Sequence, residues 1–148
     1  MKKHLIYLDD VRTPVSQEWI VVRNYEEFVA KVTELGLENI EIISLDHDLG
    51  DTAMQEYFNN VSPNYTLDYS KIKEKTGLDC AKWLIDQWFE VNLTTQTQPS
   101  RGITGFPDVL THSANPIGSA NIMGYINNFL MNNHMPQTCV RVKIEHTV

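Results

Sequence analysis

The chain has 148 residues, and its 12 lysines and arginines against 19 aspartates and glutamates leave a formal charge of −7. That length predicts one domain, and an acidic surface excludes duplex DNA as a partner while admitting a small anionic substrate if a cation mediates. With 42% hydrophobic and 21% charged residues the chain is not disordered. It has no apolar run near the roughly 18 residues of a membrane span.

The start, MKKHLIYLDD, carries a five-residue apolar run cut short by two aspartates and does not read as a signal peptide. His4–Leu8 reads as a strand buried on both faces, ending at Asp9 and Asp10. Trp19–Val22 is a second short strand, and the stretch between them is too cramped for a full helix. Asn24 is the expected cap of a helix with Glu26 and Glu27 in its first turn, and Gly36 is its stop. Ile40–Leu45 is the third strand and ends at Asp46.

Residues 49–76 then read as an irregular insertion, a candidate lid with the aromatics Tyr57, Phe58, Tyr65 and Tyr69. A hydrophobic cluster beneath a long loop explains those aromatics equally well. Gly77–Glu90 has the apolar spacing of a helix, and residues 91–106 read as a polar surface loop. Asp108–Thr111 is a fourth strand, Asn115-Pro116 opens a helix, and Thr138–Ile144 is the expected fifth strand. Alternating strands and helices predict one α/β domain with a mostly parallel five-stranded sheet. Cys80 and Cys139 lack metal-ligand spacing and read as buried thiols of a reducing, cytoplasmic setting. The oligomeric state is not legible.

Ligands of open α/β sheets bind beyond the carboxyl ends of the strands. Three strands end in polar clusters there: Asp9-Asp10 with Arg12, Asp46-His47-Asp48, and Thr111-His112-Ser113 with Asn115. Converging carboxylates repel one another unless a cation sits among them, and oxygen-only ligands favour Mg²⁺. Asp9, Asp10, Asp46 and Asp48 are therefore the candidate metal ligands. Arg12, Ser113 and Asn115 are candidates for holding a phosphate, with the start of the helix at Pro116 adding its dipole. His47 and His112 are the candidate proton donor and acceptor, with Asp46 as their catalytic neighbour. The structural alternatives are that Asp9 and Asp48 are loop and helix-cap residues, that Asn115 caps its helix and Ser113 bonds the backbone, and that each histidine orients an aspartate.

The segments LIYLDDVRTP, SLDHDLG at 44–50, TGLDCAKWL and THSANPIGSANI resemble response-regulator receiver domains, and more closely the cyclic-phosphate processing receivers. The resemblance implies a flavodoxin-like sheet of order 2-1-3-4-5, from which this sequence is expected to depart by a reduced final helix, since few residues follow the expected fifth strand. It also implies action on, or sensing of, a nucleotide or RNA end bearing a cyclic phosphate. Asp46-His47-Asp48 in place of plain phosphoacceptor surroundings argues against a kinase-driven switch. The leading expectation is a Mg²⁺-dependent phosphoesterase. A non-catalytic module that binds a nucleotide or signals through Asp46 stands second, and an interaction protein using the insertion third.

Overall fold

The computed structural model describes residues 3–97 and 104–147. In chain order the elements are β1 (His4–Leu8), β2 (Trp19–Val22), α1 (Tyr25–Leu35), β3 (Ile40–Leu45), α2 (Asp51–Glu56), α3 (Ser62–Asn64), α4 (Gly77–Thr97), β4 (Asp108–Thr111) and α5 (Pro116–Asn132). The strands are parallel in the order β2-β1-β3-β4, the expected topology short of its last strand. Asn24 caps α1 by accepting from the Glu27 N–H at 2.9 Å, and Gly36 ends it with φ of 85°. The Asp9–Glu18 connection holds no helix. No described helix is long and apolar enough to cross a membrane.

Strand alternation sends Ile6, Leu8, Ile43, Leu45 and Val109 into one core, against Phe28 and Val32 of α1, Leu84 of α4, and Ile122 and Ile126 of α5. Each such buried side chain stabilises the fold by roughly 1.5–3 kcal/mol. The register aligns Leu8 with Leu45 and Leu45 with Thr111. The ladder continues one residue further, Asp46 N–H donating to Leu8 C=O at 2.9 Å and His112 N–H to Leu45 C=O at 3.1 Å. Asp9, Asp46 and His112 therefore leave the sheet edge at one level.

Three expectations are corrected. The fifth strand, Thr138–Ile144, does not form. That segment touches β4 through one bridge, Thr111 with Arg141, and two backbone bonds, to Val140 and from Val142. The Asn127 side chain of α5 takes both backbone groups of Cys139, at 2.9 and 3.0 Å, so the ladder cannot grow upstream. Downstream the chain turns across the carboxyl ends of the strands and pairs with residues 13–15, through Val15 N–H to Glu145 C=O and Thr147 N–H to Thr13 C=O.

Residues 49–76 are not an irregular loop. They contain α2, a π-helical turn at Tyr57–Val61, α3 and a 3₁₀ turn at Tyr69–Lys71. Distant carboxylates stabilise this: Glu74 accepts from Ala53 N–H at 2.6 Å and the Thr52 hydroxyl, while buried Glu56 accepts from the Asn60 amide and Asp68 N–H. Lastly, α4 runs past Glu90 to Thr97, and Trp88 Nε1–H bonds the Thr104 carbonyl at 2.8 Å. Residues 98–103 of the expected polar loop lie outside the described residues.

Candidate functional site

The carboxyl ends of β1, β3 and β4 bring most of the predicted polar residues together. One carboxylate oxygen each of Asp9, Asp10 and Asp46 lies within 4.8 Å of the other two. Asp9 is wholly buried. Its Oδ1 accepts from the Val11 and Arg12 N–H groups, at 3.1 and 2.8 Å. Its Oδ2 accepts from Arg12 Nε at 2.9 Å and His112 Nε2 at 3.2 Å. Burial pushes the Asp9 carboxyl up, but the bond from His112 and those from the Arg12 and Val11 amides outweigh it and hold the group below its ordinary value.

Asp46 has less compensation. Burial first, and then the Asp9 charge, push its carboxyl up to about 7, although Arg12 Nη2 stands 3.8 Å away and the His47 N–H donates to it at 2.8 Å. Asp10 is raised for the same two reasons. Three carboxylates around one guanidinium carry an excess of negative charge, and their donors are all oxygens. That set suits a hard divalent cation, which would remove the repulsion raising Asp46 and Asp10.

Asp48 stands beside this group, held by His47 Nδ1 at 2.6 Å and by the Asn115 amide at 3.2 Å. Asn115 works in two directions: its Oδ1 accepts from Gly118 N–H at 2.9 Å and caps α5, while its Nδ2 holds Asp48. The Ser113 hydroxyl accepts from the Asn115 N–H at 3.1 Å. A cavity of about 200 Å³ is lined by Asp10, Arg12, Asp46, Asp48, Tyr57 and Ser113. Arg12, Ser113 and Ala114 also line a neighbouring cavity of about 480 Å³.

The two predicted histidines are not brought together. His112 stacks on Tyr7 with ring centroids 4.0 Å apart, and its Nδ1 meets the Ser44 hydroxyl at 2.7 Å. Burial outweighs the nearby carboxylate and lowers its pKa, so a neutral ring donates from Nε2 to Asp9 and accepts at Nδ1 from Ser44. His47 is fully buried on the α5 side, with Nδ1 on Asp48 and Nε2 at 2.9 Å from the Tyr69 hydroxyl. A Cβ at Gly118 would sit 2.3 Å from the His47 ring, so only glycine lets α5 approach. Tyr69 in turn accepts from the Asn121 amide at 2.9 Å, which docks the 49–76 insertion against α5.

Four contributors were not predicted. Arg23 ties down the 9–13 turn through the carbonyls of Asp9 and Arg12 and the Thr13 hydroxyl. Ser44 and Tyr7 orient His112 from the strands. His146 meets the Tyr7 hydroxyl through Nε2 and forms a second ligand-type group with Asp9 and His112, again within 4.8 Å. The signal that could have found Tyr7 and Ser44 is a hydroxyl set among the apolar residues near the end of β1 and of β3. Nothing in the sequence pattern pointed to His146, which reaches the site only because the C-terminal segment crosses the sheet edge.

The model of the cyclic-phosphate processing receiver domain matches residues 4–128, which include every predicted site residue. No curated protein and no solved structure matches the chain. With that match over most of its length, and a parallel α/β sheet whose strand ends carry these acidic and histidine clusters, the chain belongs to the cyclic-phosphate processing receiver domain family.

Proposed function

We propose that the chain is a Mg²⁺-dependent phosphoesterase that opens the cyclic phosphate of a nucleotide or RNA terminus. The observation that carries this reading is the convergence of Asp9, Asp10 and Asp46 with too little positive charge to balance them. These three would hold the ion, with Asp48 behind them. When bound, Mg²⁺ would supply a charge to polarise the phosphoryl oxygens. Arg12 and Ser113 line the cavity and bind the phosphate, whereas Asn115 contributes indirectly by holding Asp48.

Proton transfer is assigned to His112, whose Nε2 is bonded to Asp9 and whose residue lines the larger cavity. His47 keeps a positioning role: it fixes Asp48 and receives Tyr69. The engagement of both His112 nitrogens supports a second reading, in which the site captures a nucleotide without turning it over. One assay separates them. The protein is incubated with nucleoside 2′,3′- and 3′,5′-cyclic phosphates, with Mg²⁺ or with EDTA, and products are read by mass spectrometry. Gain of one water in the Mg²⁺ arm alone is the expected result. Tight binding without any product leaves the capture module.

A further inference from the structure

The cavity of about 480 Å³ lies next to the acidic one, shares Arg12, Ser113 and Ala114 with it, and has opposite electrostatic character. Its charged lining consists of Arg12, Arg141 and Lys143, with His112 and His146 beside them, and no carboxylate is among its lining residues. That is unusual in a chain with seven more acidic than basic residues. The C-terminal segment supplies Arg141, Lys143 and His146, and it lies beyond the residues 4–128 that match the family.

The segment is extended, and its alternation exposes Arg141, Lys143 and Glu145 on one side while Val142, Ile144 and His146 are partly buried on the other; of the three exposed residues only Arg141 and Lys143 line the cavity. Arg141 is fixed by bonds from Nε to the Ser113 carbonyl and from Nη2 to the Ala114 carbonyl, both 3.1 Å. Those are neutral acceptors, so its charge is not cancelled. Lys143 makes no hydrogen bond or ion pair with any described residue. Two uncompensated cations, one of them preoriented, thus face a cavity beside the site assigned to the cyclic phosphate.

We propose that the 141–146 segment forms a second anion subsite, which takes the phosphate on the 5′ side of the nucleotide whose cyclic phosphate lies against the aspartates. This rests on the phosphoesterase-or-capture reading above and narrows its ligand. The preferred ligands carry two phosphates one sugar apart: a 5′-phosphorylated nucleoside 2′,3′-cyclic phosphate, or an RNA end. Bare nucleoside cyclic phosphates leave Arg141 and Lys143 without a partner.

Two measurements test it. In the first, inorganic phosphate is titrated into the metal-free protein and backbone amide shifts are followed by NMR. The expected result is a saturable shift centred on Ser113, Ala114 and residues 141–144, weakened in Lys143→Gln, which breaks no bond of the fold. No shift there, or an undiminished one in Lys143→Gln, overturns the subsite. In the second, affinities are compared for uridine 2′,3′-cyclic phosphate, its 5′-phosphorylated form and a dinucleotide ending in the same cyclic phosphate. A gain of about tenfold for the second phosphate is expected, reduced towards one in Arg141→Gln and Lys143→Gln and kept in Lys31→Gln on α1. The dinucleotide arm distinguishes a phosphodiester from a terminal phosphate as the source. Equal affinities for all three ligands in the wild type overturn the assignment to the 5′ side. If phosphate shifts the 141–144 amides but no cyclic phosphate binds, the functional reading fails and the anion site stands.

Discussion

Asp46→Asn tests the electrostatic account of the site most directly. Its carboxyl is raised from 3.8 to about 7, chiefly by burial and then by Asp9. A folded-state pKa above the unfolded one means that the native protein keeps a proton that the unfolded chain releases. Stability is therefore unaffected below about pH 4, falls as pH rises towards 7, and carries the full penalty above it. At about 1.36 kcal/mol per unit, the shift corresponds to a ceiling of about 4 kcal/mol at pH 8. Asparagine does not titrate, and its amide oxygen can still accept from the His47 N–H. Metal-free Asp46→Asn should therefore be more stable than wild type at pH 8, with a melting temperature higher by about 10 °C at the ceiling, and the difference should shrink to about 1 kcal/mol near pH 4.5. Urea unfolding in EDTA at pH 4.5, 6 and 8 measures the difference. Saturating Mg²⁺ should stabilise wild type, by about 2.7 kcal/mol at a hundredfold excess over the dissociation constant, and the variant far less. Its affinity for wild type should also rise with pH through about 7, because binding displaces the Asp46 proton. A stability difference that does not change with pH, or a variant less stable than wild type at pH 8, would refute the crowded-carboxylate account.

Other outcomes follow from single contacts. Gly118→Ala places a methyl group against the His47 ring and should cost about 1–3 kcal/mol in urea unfolding, with loss of the His47 imidazole resonance pattern seen by NMR. His112→Ala should lower turnover of a cyclic phosphate by about 10²–10⁴-fold with much less change in binding, whereas His47→Ala should lower stability as well. Equal turnover in His112→Ala and wild type would remove His112 from the chemistry. Burial raises the Cys80 thiol and pushes the Cys139 thiol up to about 12. Neither should react with a thiol reagent at pH 8 until the chain unfolds, and rapid labelling of the native protein would contradict their burial.

The parts of the fold that were legible are those whose cause is local. The Asn24 cap, the Gly36 stop and the Asn115-Pro116 start each depend on a few neighbouring residues, and all three are where the sequence puts them. The misread parts have distant causes. The helical turns between Gly50 and Asn64 depend on Glu74, and the Glu56 carboxylate ties that helix to Asp68. Thr138–Ile144 has the alternation of a strand, yet Asn127 takes the backbone groups of Cys139 that pairing would use. A side chain elsewhere in the chain decided the conformation in both cases, and no window of local sequence contains it.

The site divides along the same line, and register shows why. That β1, β3 and β4 end in aspartates and a histidine is visible in the sequence, and parallel pairing is enough to gather Asp9, Asp10 and Asp46. Which histidine joins them depends on a parity the sequence does not display. Because Leu45 aligns with Thr111, Asp46 is level with His112 and His47 with Ser113. Successive side chains point to opposite faces, so His112 leaves on the side of Ser44 and Tyr7 and meets Asp9. His47 leaves on the other side and is enclosed by α5. A slip of one residue between β3 and β4 would turn His112 to the opposite face and away from Asp9, leaving His47 where the β1–β3 register puts it. The same parity accounts for the polar residues at Ser44 and Tyr7 within otherwise apolar strands: both lie on the face from which His112 must be held. The placement of His112 beside Asp9 is thus tied to the register of a four-residue strand, and the hydroxyl of Thr111, which donates to the Leu45 carbonyl at 2.9 Å, helps to fix that register.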